Sequence, residues 1–148
     1  MAKVFFNYAD RQPFLRDKRV IKDFTEKLFI REKKRIKRLD YIFCSDSYLL
    51  NINKKFLSHD YYTDIITFDL SENKREIKGE VYISIDRVKE NAEDLNVSFE
   101  DELLRVLFHG ALHLCGHKDK TKSEANNMRS KEDFYLHRFK TFHKTQFR

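Results

Sequence analysis

A chain of 148 residues that is 41% hydrophobic and 14% aromatic can bury a real core, which argues against intrinsic disorder and for one domain over residues 1–148. Charged residues make up 36%, and no uncharged apolar run approaches the roughly 18 residues needed to cross a bilayer, so no membrane association is expected. The net charge of +6 hides an asymmetry: residues 1–38 carry 13 Lys/Arg against 5 Asp/Glu and residues 117–148 carry 9 against 4, while residues 39–116 carry 8 against 15. Basic ends around an acidic centre point to a polyanion gripped at the periphery.

The opening residues meet Asp10 before any long apolar run, so no signal peptide is expected. The two cysteines, Cys44 and Cys115, form neither a disulfide framework nor a zinc knuckle, and a cytoplasmic protein is expected. One Pro and three Gly leave little room for linkers. Lys3 to Tyr8 reads as a short strand. From Asp17 to about Lys34, Val20, Ile21, Phe24, Leu28 and Phe29 recur at helical spacing. The densest charge run, Arg31-Glu32-Lys33-Lys34-Arg35-Ile36-Lys37-Arg38, reads either as a phosphate-binding patch or as a solvated helix end.

Leu39 to Cys44 is apolar and aromatic, hence strand. Asp46 caps a helix to about Phe56, Ile65 to Phe68 is a β-branched strand, and Glu76 to Ile85 is a longer one around Gly79. Asp86 caps a short helix to about Leu95. Ser98 opens the next helix, with Asp101 as a loose capping-box partner, and Gly116 stops it. A last helix covers about Ser123 to Phe139. The expected class is α+β, a small mixed sheet with few βαβ units, packed with helices.

The helix from Ser98 is apolar nearly all round and therefore central. One polar line crosses it: Glu102, Arg105, His109 and His113. Imidazoles at i and i+4 share a helix face and can share one metal ion. A glycine at i+7 turns the chain back, and a donor at i+10 closes the group. This is the spacing of the zinc-peptidase motif H-E-x-x-H-x-x-G-x-x-H, with Gly110 in place of the basic glutamate and Asp119 in place of the last histidine. Aspartate can ligate zinc; glycine cannot act as a base. Three protein ligands leave a position open to water, the mark of a catalytic site. Cys115 reads as a core thiol, and His117 competes with Asp119 as third ligand. Gly116 favours Asp119, because a left-handed cap breaks the helical continuation to His117.

The string His109-Gly110-Ala111-Leu112-His113-Leu114-Cys115-Gly116 resembles the signature of the YbeY family of bacterial rRNA-maturation endoribonucleases. Two further blocks agree: Asn53 to Phe68, with Thr63-Asp64-Ile65-Ile66-Thr67-Phe68 at its end, and Gly79-Glu80-Val81-Tyr82-Ile83-Ser84. Order and spacing match over about residues 40–135. The family usually has His where this chain has Asp119, Tyr at His117, Pro at Tyr62 and Arg at Leu57. That Arg is associated with catalysis or RNA binding, and only Lys54 or Lys55 lies near enough in sequence to stand in.

The resemblance implies a metal-dependent endoribonuclease cutting single-stranded RNA through a zinc-activated water, in rRNA processing and ribosome quality control. Its ion is one Zn²⁺ per chain, held by His109, His113 and Asp119. Its partners are rRNA and the ribosome or its small subunit, with no nucleotide cofactor. Glu80 is the candidate acidic partner of the metal water, with a strand-end surface carboxylate as the alternative. Two rival readings stay open: a metallopeptidase, and a non-catalytic zinc-containing ribosome-associated factor that binds RNA.

Overall fold

Nine elements carry the chain in the computed structural model, which describes residues 2–147. In order they are β1 (Val4–Tyr8), α1 (Lys18–Arg31), β2 (Arg35–Cys44), α2 (Asp46–Leu57), β3 (Ile65–Asp69), β4 (Glu76–Ser84), α3 (Ile85–Leu95), α4 (Phe99–Leu114) and α5 (Lys122–Thr145). The sheet order is β1-β2-β4-β3, with β1, β2 and β4 parallel and β3 antiparallel to β4. The α+β class with a mixed sheet is therefore correct, but parallel crossovers matter more than expected. Parallel neighbours need a connection of about a dozen residues or more. Helix α1 supplies one between β1 and β2, and the segment through α2 and β3 supplies the other.

Helix α4 runs through the middle. Its Leu103, Leu104, Val106, Leu107, Phe108, Ala111, Leu112 and Leu114 are all buried. On one side it lies on the sheet, where Tyr41 of β2 donates its hydroxyl to the Leu107 carbonyl at 2.7 Å. On the other, Phe108 joins Phe24 of α1 and Phe139 of α5 in an aromatic cluster with centroids 5.3–6.0 Å apart. Each buried Leu or Phe of this kind contributes about 1.5–3 kcal/mol. Gly110 lets the helix close on the sheet, since a Cβ there would stand 2.8 Å from Val81 and 3.1 Å from Ile65. A carboxylate side chain at that position has no room.

Several boundaries differ from the sequence reading. Helix α1 stops at Arg31 because Lys33 takes a left-handed φ of 63° and turns the chain into β2. That strand begins at Arg35, four residues earlier than its apolar stretch suggests, because Ile36 is buried between exposed Arg35 and Lys37. The basic run thus spans the end of α1, a turn and the start of β2. Ser45 and Ser84, not Asp46 and Asp86, cap α2 and α3. The two acids instead join the helix starts: Asp86 accepts from the Asp46 N–H at 3.0 Å, and Asp46 accepts from Ser84 and Arg87 at 2.6 and 2.9 Å. Ser98 caps α4 as expected, while the Asp101 carboxylate takes the Lys140 ammonium. Helix α5 continues past Phe139 to Thr145, with Phe142 packed against Phe24.

Candidate metal centre

One turn apart on α4, the rings of His109 and His113 face the same cleft with centroids 4.5 Å from each other. Gly116, at φ +103°, ends the helix and returns the chain. Asp119 then places Oδ2 3.3 Å from Nε2 of His109 and 3.3 Å from Nε2 of His113. All three ligand atoms lie within 4.8 Å of one another.

That spacing can be set against two uses of the group. Direct imidazole–carboxylate hydrogen bonds draw in to about 2.7–2.9 Å when charge-assisted, and elsewhere in this molecule they do: His109 Nδ1 to Glu132 is 2.6 Å and His117 Nε2 to Glu32 is 2.7 Å. Donors on a tetrahedral ion at about 2.0–2.1 Å stand roughly 3.3 Å apart. The three side chains are spaced so that they could hold a shared divalent ion.

Glu132 on α5 sets the ring of His109. It is 2% exposed, and its two oxygens accept from His109 Nδ1 and, at 2.9 Å, from Arg105. Burial alone would raise its carboxyl, but the hydrogen bonds from His109 and Arg105 prevail and hold it below the usual carboxylate value. An ionised Glu132 requires the proton on Nδ1, which leaves the Nε2 lone pair free for a metal. Arg105 also grips buried Glu102, and these bonds raise its pKa further. Asp64, just before β3, lies 4.0 Å from the same guanidinium, and burial raises its carboxyl.

The cleft has a volume of about 620 Å³ and runs from the His109–His113–Asp119 group past Arg105 to the α2–β3 loop, where Leu57, His59 and Tyr61 line it. Glu80 is not brought to it. Gly79 and Val81 of β4 face α4, and alternation along the strand turns Glu80 to the opposite face, where it accepts from Tyr82 at 3.4 Å. Neither lysine near Leu57 reaches the cleft: Lys54 pairs with Asp60 at 3.3 Å, and Lys55 sits over the Phe56 ring. The Cys115 thiol is pushed up to about 12 by burial, which suits a core residue. Sequence reasoning put Arg105 on the polar line but did not single out Glu132; its only local signal is an acid on the helix that follows the histidines.

His117 points away from the group, to Glu32 at the end of α1. Glu32 also accepts from Lys131 at 3.2 Å and from the Tyr135 hydroxyl. Burial opposes its ionisation, but the bonds from Tyr135, His117 and Lys131 hold it below its ordinary value of 4.5. A carboxyl lowered on folding contributes stability that is complete above the unfolded value and is lost as pH falls through the folded one. Glu32→Gln should therefore cost about 1–3 kcal/mol at neutral pH and progressively less in acid. Denaturant titrations of both proteins across that range would check it; a cost independent of pH would exclude the ionised latch.

Fold and site define a class: an α+β chain whose central buried helix presents two histidines, with a returning aspartate, to a surface cleft. Residues 9–140 match the family described as Endoribonuclease YbeY. The chain belongs to that family. Proteins named Endoribonuclease YbeY from Cytophaga hutchinsonii and Flavobacterium johnsoniae are 54% and 47% identical to it, over 90% and 86% of this chain and 93% and 91% of theirs. A Thermotoga maritima protein solved in solution is 26% identical with a TM-score of 0.63, covering 99% of this chain and 93% of that one.

Proposed function

We propose that this protein is a metal-dependent endoribonuclease that cuts single-stranded RNA in the cytoplasm. Its substrate is rRNA on the ribosome or its small subunit, where it serves maturation and quality control. The observation that carries the reading is the 3.3 Å spacing of Asp119 from both imidazoles, facing a cleft in a chain of the Endoribonuclease YbeY family. His109, His113 and Asp119 are the ligands, and two imidazoles with one carboxylate suit Zn²⁺. Bound there, the ion supplies Lewis acidity and an acidified water for attack on phosphorus. Glu132 fixes the ring and tautomer of His109, and Arg105 neutralises the two buried acids behind it. A peptidase reading loses support at Gly110, whose contact with Val81 leaves no place for a basic glutamate.

The test pairs metal analysis of protein purified without added metal or affinity tag with cleavage of single-stranded RNA. About one zinc per chain and cleavage that stops on chelation are expected; traces of metal with no uptake on titration would overturn the reading. Leu57 in the cleft, where the family pattern has Arg, favours the non-catalytic RNA-binding alternative, which predicts metal and RNA binding without cleavage.

Phosphate contacts should dominate affinity. Glu32 within the basic run meets His117 at 2.7 Å, two residues before Asp119 in the chain. Neutralising Lys33, Lys34, Arg35 and Lys37 together should flatten the slope of log K against log salt by up to about three, from roughly 0.7 per phosphate contact on single strands. An unchanged slope would remove the run from the RNA path.

A further inference from the structure

The loop that closes the far end of the cleft is built to present two rings. Ser58 ends α2 in a left-handed conformation, φ 56°. Asn53, 2% exposed, then pins the next three residues: its backbone carbonyl accepts from the His59 N–H at 3.1 Å, and its side-chain amide donates to the Tyr61 carbonyl at 2.9 Å. Lys54 holds Asp60 between them at 3.3 Å. On this pinned segment the His59 and Tyr61 rings are stacked, centroids 5.0 Å apart and 22° from parallel, and the Tyr61 hydroxyl meets His59 Nδ1 at 2.9 Å. Both rings line the cleft that holds His109, His113 and Asp119.

A single exposed tyrosine is ordinary. This one is 56% exposed, yet its backbone is held by a buried amide and one of its ring faces by a histidine. Such preorganisation lowers the entropy cost of binding. The chemistry of the wall indicates what it binds. Leu57 and Ile65 line the same cleft, and among the described lining residues the Lys/Arg cation is Arg105, already held by Glu102 and Glu132. A phosphate gains little from that wall, whereas a nucleobase gains a π-face and apolar flanks.

We propose that the His59–Tyr61 pair is a stacking platform for one unpaired base of the RNA strand whose backbone passes the metal centre. This rests on the endoribonuclease reading and deepens it by assigning preference for unpaired RNA to two residues. Bases within a duplex are stacked on their neighbours and cannot use the platform, while an unpaired base offers its face whatever its identity.

The test measures binding of a short, non-cleavable 2′-O-methyl RNA strand to the metal-loaded protein. Tyr61→Ala is expected to weaken binding about tenfold, within the roughly 5- to 150-fold that losing one base–aromatic stack costs. Tyr61→Phe, which keeps the ring, should stay within about twofold of the parent on the same grounds. Scanning one abasic nucleotide along the strand should reveal a position that weakens the parent protein but not Tyr61→Ala. Affinity for a duplex of the same length should not change in either variant. Equal binding by Tyr61→Ala and the parent, or an equal loss on duplex and single strand, would overturn the platform. Cleavage of unmodified RNA is read in parallel. Cleavage without the abasic signature sinks the platform alone, and the signature without cleavage supports the platform while sinking the nuclease reading.

Discussion

If the proposed metal centre is right, His113→Ala should abolish metal binding and ribonuclease activity while leaving the fold intact. The side chain is 27% exposed at the cleft, and its polar contact is the 3.3 Å approach to Asp119. The apolar residues that seat α4 lie on its other faces, so truncation leaves no buried polar group without a partner. Far-UV circular dichroism should match the parent protein. Metal content should fall from about one ion per chain to traces, because one imidazole and one carboxylate do not hold zinc against dilution. RNA cleavage should then drop to background, since in the proposed function the bound ion would supply the Lewis acidity. Activity retained in a variant verified to be metal-free would rule out the catalytic role of the site, whatever the metal content of the parent.

Helix α4 was legible in the sequence because a helix buried on nearly every side tolerates polar residues only where they have work. Glu102, Arg105, His109 and His113 form that single line, and all four meet partners in the structure. The return of the chain at Gly116 was legible for a different reason, the positive φ that glycine adopts without strain. Long-range pairings were not. Glu132 lies 23 residues from His109, and nothing local distinguishes it from the other acids of α5. The start of β2 was hidden because charged Arg35 and Lys37 flank a single buried Ile36, and composition outweighed alternation. Alternation did carry a usable signal at Glu80: Ile77, Gly79, Val81 and Ile83 are the buried alternate residues of β4, so Glu80 and Tyr82 belong to the other face.

The second large effect separates Asp119 from His117. By donor type His117 is the better ligand, and an unbroken helix would have stacked it above His113. The chain does not run on: the Gly116 turn sends His117 to Glu32 and brings Asp119 back beneath the two imidazoles. Asp119→Ala should therefore weaken zinc binding at least about tenfold, since a direct donor is worth no less than the groups that only orient ligands, whose loss typically costs about 10- to 100-fold. Asp119→His restores a donor at the same position and should recover most of the affinity. His117→Ala should leave zinc affinity nearly unchanged and be felt in stability instead, because Glu32 loses one of three donors while Lys131 and Tyr135 remain. Competition titration with a chromogenic zinc chelator, alongside denaturant melts of all three variants, reads both quantities. The reverse ranking, with His117→Ala releasing the metal and Asp119→Ala keeping it, would place the third ligand at His117 and require the turn at Gly116 to rearrange on binding.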